Sequence, residues 1–370
     1  MAGSLKGGGD KFHQMARAAF EPMVAAAAGD ARKLTALATM AQRIGLSARI
    51  YPIAREAQAL APDDPDIQLQ TRALIAGSVQ GWHFYMVRDE KRNDDYQAAI
   101  ERAVGPDTRV LDIGSGTGLL AMMAARAGAK SVVSCEMNPA IADAATDIVA
   151  LNGYADRVRV VAKKSTDLDA EADLGGRVDL LVSEIIAGNL LSEGVLPVMA
   201  DAVARLLAPG GRMIPEAGQV VVSLVDLADF GRRLMGDISG FDMRPFNRLE
   251  TPVRKMGTGN RGITLRGEAA DMFDFDFTTG GPWRNRQRSV ELVADGGRVN
   301  GVIQWIRLQI DAETVHENRP APGTMSSWSA LVVPFSRSIT PPAGTKIQIH
   351  GAHDDNSVRI WVDEGQFEGM

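Results

Sequence analysis

The chain has 370 residues, 45% of them hydrophobic, and its 40 Lys+Arg against 46 Asp+Glu leave it mildly acidic. That length holds two or three domains, and the charge balance gives no strong nucleic-acid signal. A lone cysteine, Cys135, excludes a disulfide framework or a cysteine-rich zinc site, and no apolar run is long enough to span a membrane, so a reducing cytoplasm is the expected setting.

The first residues, through Gly9, are Gly/Ser-rich and lack the apolar core of a signal peptide. Residues 1–78 read as a helical extension. Apolar positions at Leu34, Leu37, Ala41 and Ile44, then at Ile53, Ala57 and Leu60, recur at spacings of three and four, and Pro52 and the 61–65 cluster Ala-Pro-Asp-Asp-Pro punctuate them. The second helix and its ending resemble the later half of a tetratricopeptide repeat, where an alanine-rich helix runs into a Leu-x-Pro-x-Asp-Pro turn. One such unit cannot bury the faces of a repeat array. Packing on the neighbouring domain or on a second copy of the chain is the expected role.

Between Gly81 and Ile100 comes the segment Trp82-His83-Phe84-Tyr85-Met86-Val87-Arg88-Asp89-Glu90-Lys91-Arg92. Read as one helix, it places Phe84, Met86 and Val87 near Asp89 and Arg92 over two turns. An arginine presented beside the glycine turn that follows is suited to a two-pronged bond with a carboxylate.

Residues 79–215 are expected to form an α/β Rossmann-like domain. The apolar run Val110, Leu111, Ile113 leads into glycines 114, 116 and 118 and then a helical stretch through Ala127. The glycines permit a sharp turn and the approach of a cofactor where a Cβ would clash. A second strand, Ser131 to Cys135, ends at Glu136, 22 residues past Gly114 and at the distance where a carboxylate reaches ribose hydroxyls. The pattern is G-x-G-x-G with Asp112 ahead of it. It resembles motif I of the class I S-adenosylmethionine (SAM) methyltransferases rather than the dinucleotide fingerprint. Strands over 156–162 and 178–183 follow, and the second is almost wholly apolar, as a strand covered on both faces should be.

That fourth strand ends at Glu184, and Glu193 lies nine residues on, opening a helical run from Val195. A strand from Arg212 to Ile214 closes the domain. Two carboxylates at one mouth are candidates for a metal site, for general acid/base work, or for a cation clamp. No His or further Asp near them in sequence favours a metal. A guanidinium offers five N–H donors in a planar fork and would relieve the repulsion of the pair. Beyond Pro215, at 216–370, short β-rich runs (220–225, 301–310, 329–333, 346–350, 358–362) between Gly/Pro/Asn/Asp turns predict an antiparallel β-barrel-like domain.

The order of these motifs resembles that of the protein arginine methyltransferases over roughly residues 80 to 365. The family pattern His-x-x-Met-x-x-Asp-x-x-Arg-x-x-x-Tyr is matched by His83, Met86, Asp89, Arg92 and Tyr96. The double-Glu hairpin is matched by Glu184 and Glu193, and Gly240-Phe241-Asp242-Met243 falls in the region of the family's dimerisation arm. The wording around Met122-Met123 and 143–145 is closest to the type III branch.

The resemblance implies SAM as cofactor, held by Arg92, Asp112, Gly114, Ser115, Gly116, Gly118, Leu119, Glu136, Met137, Ser165, Thr166 and Glu184. Thr166 and Asp167 are alternatives for reading the adenine amino group. It implies Glu184, Glu193, Asp89 and Met86 as catalytic residues, with Glu184, Glu193, Tyr96 and Trp328 binding an arginine in a protein or peptide, and it allows a homodimer. One departure stands out: the family's Thr-His-Trp loop reads Ser326-Ser327-Trp328 here, and serine lacks histidine's basicity. That change and the unusual N-terminus leave room for a methyltransferase acting on a small guanidine or amine, and a third reading is a catalytically silent SAM-binding protein that uses the helical N-terminus as an adaptor.

Overall fold

The computed structural model describes residues 18–231 and 234–369; the reading of the first residues as a signal-free Gly/Ser segment lies outside them. After α1, described over 18–26, come α2 (Ala31–Arg43), α3 (Ser47–Leu60) and α4 (Pro65–Gly77). The Asp30 side chain caps α2 by accepting from the Lys33 N–H, and Asp64 caps α4 by accepting from the N–H groups of Asp66 and Ile67, with Pro65 entering the first turn. The 61–65 cluster is thus a helix stop followed by a helix start. Pro52 differs from expectation, since α3 runs straight through it. Its missing donor costs one backbone bond, which burial of the neighbouring Ile50, Ile53, Ala54 and Ala57 offsets.

These helices share a small core of their own around Phe20, Leu34, Ile53 and Ile67. The extension rests on α8 (Pro139–Leu151): the Tyr51 hydroxyl donates to Asp143, Arg55 Nε lies 3.9 Å from the same carboxylate, and Asn138 Nδ2 donates to the Ser78 carbonyl at 2.9 Å.

The segment after α4 is two helices, not one. α5 (Trp82–Met86) ends before Asp89, whose side chain accepts from the Arg92 N–H and caps α6 (Glu90–Ala103). An aspartate that competes for backbone donors starts a helix more readily than it continues one. In consequence Phe84 and Tyr85 point outward, 62% and 71% exposed, instead of packing with Met86.

Five parallel strands form the next sheet: β1 (Arg109–Ile113), β2 (Ser131–Cys135), β3 (Val158–Val161), β4 (Val178–Ser183) and β5 (Leu207–Ile214), in the order β3-β2-β1-β4-β5. α7 (Leu119–Arg126), α8 and α9 (Val195–Arg205) connect them. The order reverses between β1 and β4, which is where open α/β sheets hold ligands. β5 begins at Leu207 rather than Arg212, with an irregularity in its pairing to β4 that takes up 208–211.

From Ala217 all pairing is antiparallel. β6 (Ala217–Leu227), β13 (Val299–Gln309) and β15 (Ala330–Ile339) make the centre of a seven-stranded sheet. β9 (Arg254–Met256), β10 (Ile263–Leu265), β11 (Ala270–Asp276) and β14 (Val315–Glu317) complete it. A separate sheet joins β12 (Arg286–Val293), β16 (Lys346–His353) and β17 (Val358–Val362), and β7 (Asp237–Ile238) and β8 (Phe241–Asp242) form a small hairpin. The barrel-like expectation thus resolves into these paired sheets. One apolar core runs from Leu111 and Leu180 through Val220 and Ile306 to Ile349, so Pro215 separates two sheets but not two cores. Among the described residues no helix is long and apolar enough to cross a membrane.

Candidate active site

A cavity of about 700 Å³ opens at the carboxyl ends of β1, β2 and β4, walled by Gly114, Gly116, Glu136, Ser165, Thr166 and Glu184 among others. Gly114 is the turn's indispensable glycine: φ is +83°, and a Cβ there would stand 2.6 Å from Ile185 Cγ2. Glu136 is held at the end of β2 by the N–H groups of Gly116 (3.2 Å) and Asn138 (2.8 Å). Burial raises its pKa, and those backbone donors oppose the rise. Met137, 67% exposed, and Asn138 continue the rim, and Ser78 and Gln80 before α5 and Trp82 and His83 at its start also line the cavity. Trp82 stacks on His83 with ring centroids 3.8 Å apart.

Asp112 lies beneath the turn. Its Oδ2 accepts from the Ser134 hydroxyl at 2.7 Å and its Oδ1 has no partner; burial pushes its pKa up to about 6, with the Ser134 bond pulling the other way. Asp112, Ser115, Gly118 and Leu119 stand behind the wall rather than in it. Arg92 is also one layer back, 3% exposed. One terminal nitrogen donates to the Met86 carbonyl (3.0 Å) and Asn93 Oδ1 (2.9 Å), the other to Glu184 Oε2 (3.1 Å), and Nε is unpartnered.

Glu184 and Glu193 both reach this cavity. Burial pushes the Glu184 carboxyl up to about 8; Arg92 opposes that, while Glu193, Asp89 and Asp112 add to it. Its Oε1 is buried with no partner. Burial likewise raises Glu193. The site therefore holds one buried carboxyl with unused acceptor capacity, Glu184, and a second, exposed one, Glu193, an arrangement that a cation with several donors would satisfy.

A second cavity, about 360 Å³, adjoins the first and shares Trp82, Met86 and Glu193 with it. Its far wall comes from the 186–192 loop, from Lys255, and from Ser327, Trp328 and Ser329. The two loops are pressed together: a Cβ on Gly188 would sit 2.7 Å from the Ser329 carbonyl. Trp328, 6% exposed, donates from its indole nitrogen to the Ile186 carbonyl at 2.6 Å, two residues from Glu184. Behind it His316 meets the indole edge-on at 5.3 Å and shares a 2.7 Å hydrogen bond with Asp95 on α6. Asp89, besides capping α6, accepts from the Ser327 N–H at 2.7 Å. A backbone donor thus engages this acid, and the Ser327 hydroxyl remains buried and unpartnered.

Of the residues read from the sequence, the structure brings Met86, Gly114, Gly116, Glu136, Met137, Ser165, Thr166, Glu184, Glu193 and Trp328 to the two cavities. Tyr96 reaches neither. It is fully buried, and its hydroxyl donates to the Ser183 carbonyl at 3.2 Å, tying α6 to the end of β4. Sequence reasoning missed Trp82 as a shared wall, Lys255 and the His316–Asp95 pair. Trp82 had a signal, a large aromatic beside His83 in a polar stretch; the other two are joined to the site only by the fold.

The model for ribosomal protein L11 methyltransferase (PrmA) matches residues 97–217. An arginine N(omega)-methyltransferase of Streptomyces achromogenes subsp. streptozoticus is 34% identical over 327 residues, covering 86% of this chain and 89% of that protein. Protein arginine N-methyltransferase 9 of Homo sapiens is 27% identical over 317 residues, covering 74% of this chain but only 37% of the human protein. Two solved structures share the fold. The Trypanosoma brucei PRMT1 enzyme-prozyme heterotetrameric complex with AdoHcy has a TM-score of 0.65 at 24% identity, covering 76% of this chain and 92% of that one. Arabidopsis thaliana protein arginine methyltransferase 10 has 0.64 at 22%, covering 74% and 89%. The Streptomyces match, nearly end to end, together with the glycine turn and acid of the larger cavity, places this chain in the protein arginine methyltransferase family, as a SAM-dependent methyltransferase.

Proposed function

We propose that this chain transfers the methyl group of SAM to a terminal guanidino nitrogen of arginine, with Glu184 and Glu193 as the guanidinium clamp. The observation that carries the reading is the pair itself: the buried Glu184 and the exposed Glu193 both line the cavity suited to the cofactor, and Glu193 is shared with the second cavity beside it. The larger cavity suits SAM on its own residues. Its volume falls within the roughly 300–1,000 Å³ usual for ligand sites, Gly114 and Gly116 leave room for close approach, and Glu136 presents a carboxylate for two ribose hydroxyls. Ser165 and Thr166 line the cavity where adenine would be read. Arg92, one layer behind the wall, has an unpartnered Nε to offer the cofactor's carboxylate.

SAM supplies an electrophilic methyl on a sulfonium. The new C–N bond forms as the C–S bond breaks, leaving S-adenosylhomocysteine, methylated guanidinium and one proton. Glu184 and Glu193 accept guanidinium N–H bonds, draw its positive charge toward themselves and leave the third nitrogen free to attack. Positioning of this kind provides much of the rate in such displacements. The released proton has these same carboxyls within the wall to receive it, a route that needs no histidine at 327. Asp89 acts at one remove, holding the start of α6 and the Ser327 backbone together.

The acceptor is an arginine-bearing protein or peptide, as the names of several relatives suggest, or the free amino acid. The second reading is favoured by the relative that spans nearly the whole chain, whose name refers to arginine alone, and by the small second cavity. The arm bearing β7 and β8 exposes Phe241 (67%), Phe246 (60%) and Leu249 (67%), which supports a homodimer through it. The helical extension is read as a packing element of tetratricopeptide-like form, and a cytoplasmic setting accords with the buried free thiol of Cys135. The test is methyl transfer from labelled SAM into a crude proteome and into free arginine, with wild type beside Glu184→Gln. Methylarginine in either pool, lost in the variant, supports the clamp; label on any other acceptor, or undiminished methylarginine in the variant, contradicts it.

A further inference from the structure

We propose that Lys255 reads the α-carboxylate of a free arginine seated in the second cavity, and so selects the amino acid over an arginine within a chain; this rests on the arginine reading above. Two charged side chains line that cavity, Glu193 and Lys255. Glu193 also belongs to the cofactor cavity and so marks the reacting end. Lys255 comes from β9, directly across from Leu331 of β15, which lines the same cavity. Among the described residues no ion pair or hydrogen bond engages its ammonium. The cavity is thus dipolar, an anion at the methyl-transfer end and an unpaired cation elsewhere in its wall, with the unpartnered hydroxyl of Ser327 also lining it.

Free arginine has the matching charges. Its guanidinium answers Glu193, and its α-carboxylate answers the three donors of Lys255 in a charge-assisted contact. An arginine inside a peptide carries neutral amides where that carboxylate would be, leaving Lys255 unanswered. About 360 Å³ lies at the lower end of the range for ligand cavities.

The test compares methyl transfer from labelled SAM to L-arginine, to agmatine (the same guanidine without the carboxylate) and to an amidated arginine peptide with acidic neighbours, using wild type and Lys255→Met. Wild type should prefer L-arginine over agmatine by about tenfold or more in kcat/KM, the scale of one charge-assisted bond. Lys255→Met should bring L-arginine down to the agmatine level, chiefly through KM, while leaving agmatine within about twofold, which also reports that the variant is folded. Equal use of agmatine and arginine by wild type, equal losses on both in the variant, or preference for the acidic peptide would overturn the assignment and leave the arginine reading standing. Methylation of no guanidine at all would overturn both.

Discussion

The two cavities that meet at Met86 and Glu193 are built by opposite means. The floor of the cofactor side is made within one sheet, with Ser78, Trp82 and His83 added from the helices before it: β1, β2 and β4 end side by side, and the turn, Glu136 and Glu184 follow from that register. The acceptor side is assembled across elements far apart in sequence, with Asp89 on Ser327, Trp328 on Ile186, and His316 on Asp95. A cofactor pocket floored by one sheet should tolerate damage to the seam, whereas the acceptor pocket should not. The variants below test that difference.

The largest effect is expected where the halves touch. Glu184→Gln removes the buried charge from the clamp and should lower kcat/KM for the acceptor by about 10²- to 10³-fold, the scale seen when one preorganised electrostatic group is lost. Steady-state kinetics would check this, and a loss below tenfold would mean that Glu184 is not part of the clamp. Next, Arg92→Ala should weaken SAM binding by about 10- to 100-fold, as loss of a charged hydrogen bond of roughly 1.5–3 kcal/mol implies. Titration calorimetry reads it directly, and unchanged affinity would remove Arg92 from the cofactor site.

The pH dependence should differ between the halves too. Burial raises Glu184 to about 8, so near pH 6 it favours the protonated form, and Glu193 is shifted in the same direction. A guanidinium needs them charged, so its binding releases protons and should tighten as pH rises from about 6 to 8, then level off. For the unliganded fold the sign is reversed. A carboxyl whose pKa is raised by folding stabilises the folded state fully below its unfolded value near 4.5, and that contribution is lost as pH rises through 8. Acceptor KM measured across this range should fall in wild type and change less in Glu184→Gln. A KM that rises with pH would contradict the account.

The smallest effect belongs to the seam alone. Asp89→Ala removes the α6 cap and the Ser327 tie, which should destabilise the fold by about 1–2 kcal/mol. It should raise acceptor KM more than SAM Kd, as thermal unfolding and paired titrations would show. Equal effects on both ligands would erase the distinction between the two sides.

The same difference decided what could be read from the sequence. β1, β2 and β4 were legible because a strand covered on both faces is a continuous apolar run, and Glu136 and Glu184 follow at fixed spacings. β11 and β12 were not, because Asp271, Asp274 and the run Arg286-Gln287-Arg288 put charge on their exposed face and hide the alternation. The break before Asp89 was missed because capping is a property of one side chain and one turn, which periodicity does not register. Tyr96 falls on the motif that implies substrate contact, yet its ring is committed to the core. Lys255 and His316 have no local signature, since only strand pairing brings β9 and β14 to the acceptor side.

The most direct test of the two-sided account is the affinity of the Glu193→Gln variant for each ligand separately, by calorimetry: S-adenosylhomocysteine alone, then arginine in its presence. The account predicts that arginine binding weakens by about tenfold or more, as for loss of one charge-assisted contact, while S-adenosylhomocysteine binding stays within about twofold. Unchanged arginine affinity, or an equal loss on both ligands, would contradict a clamp at the junction.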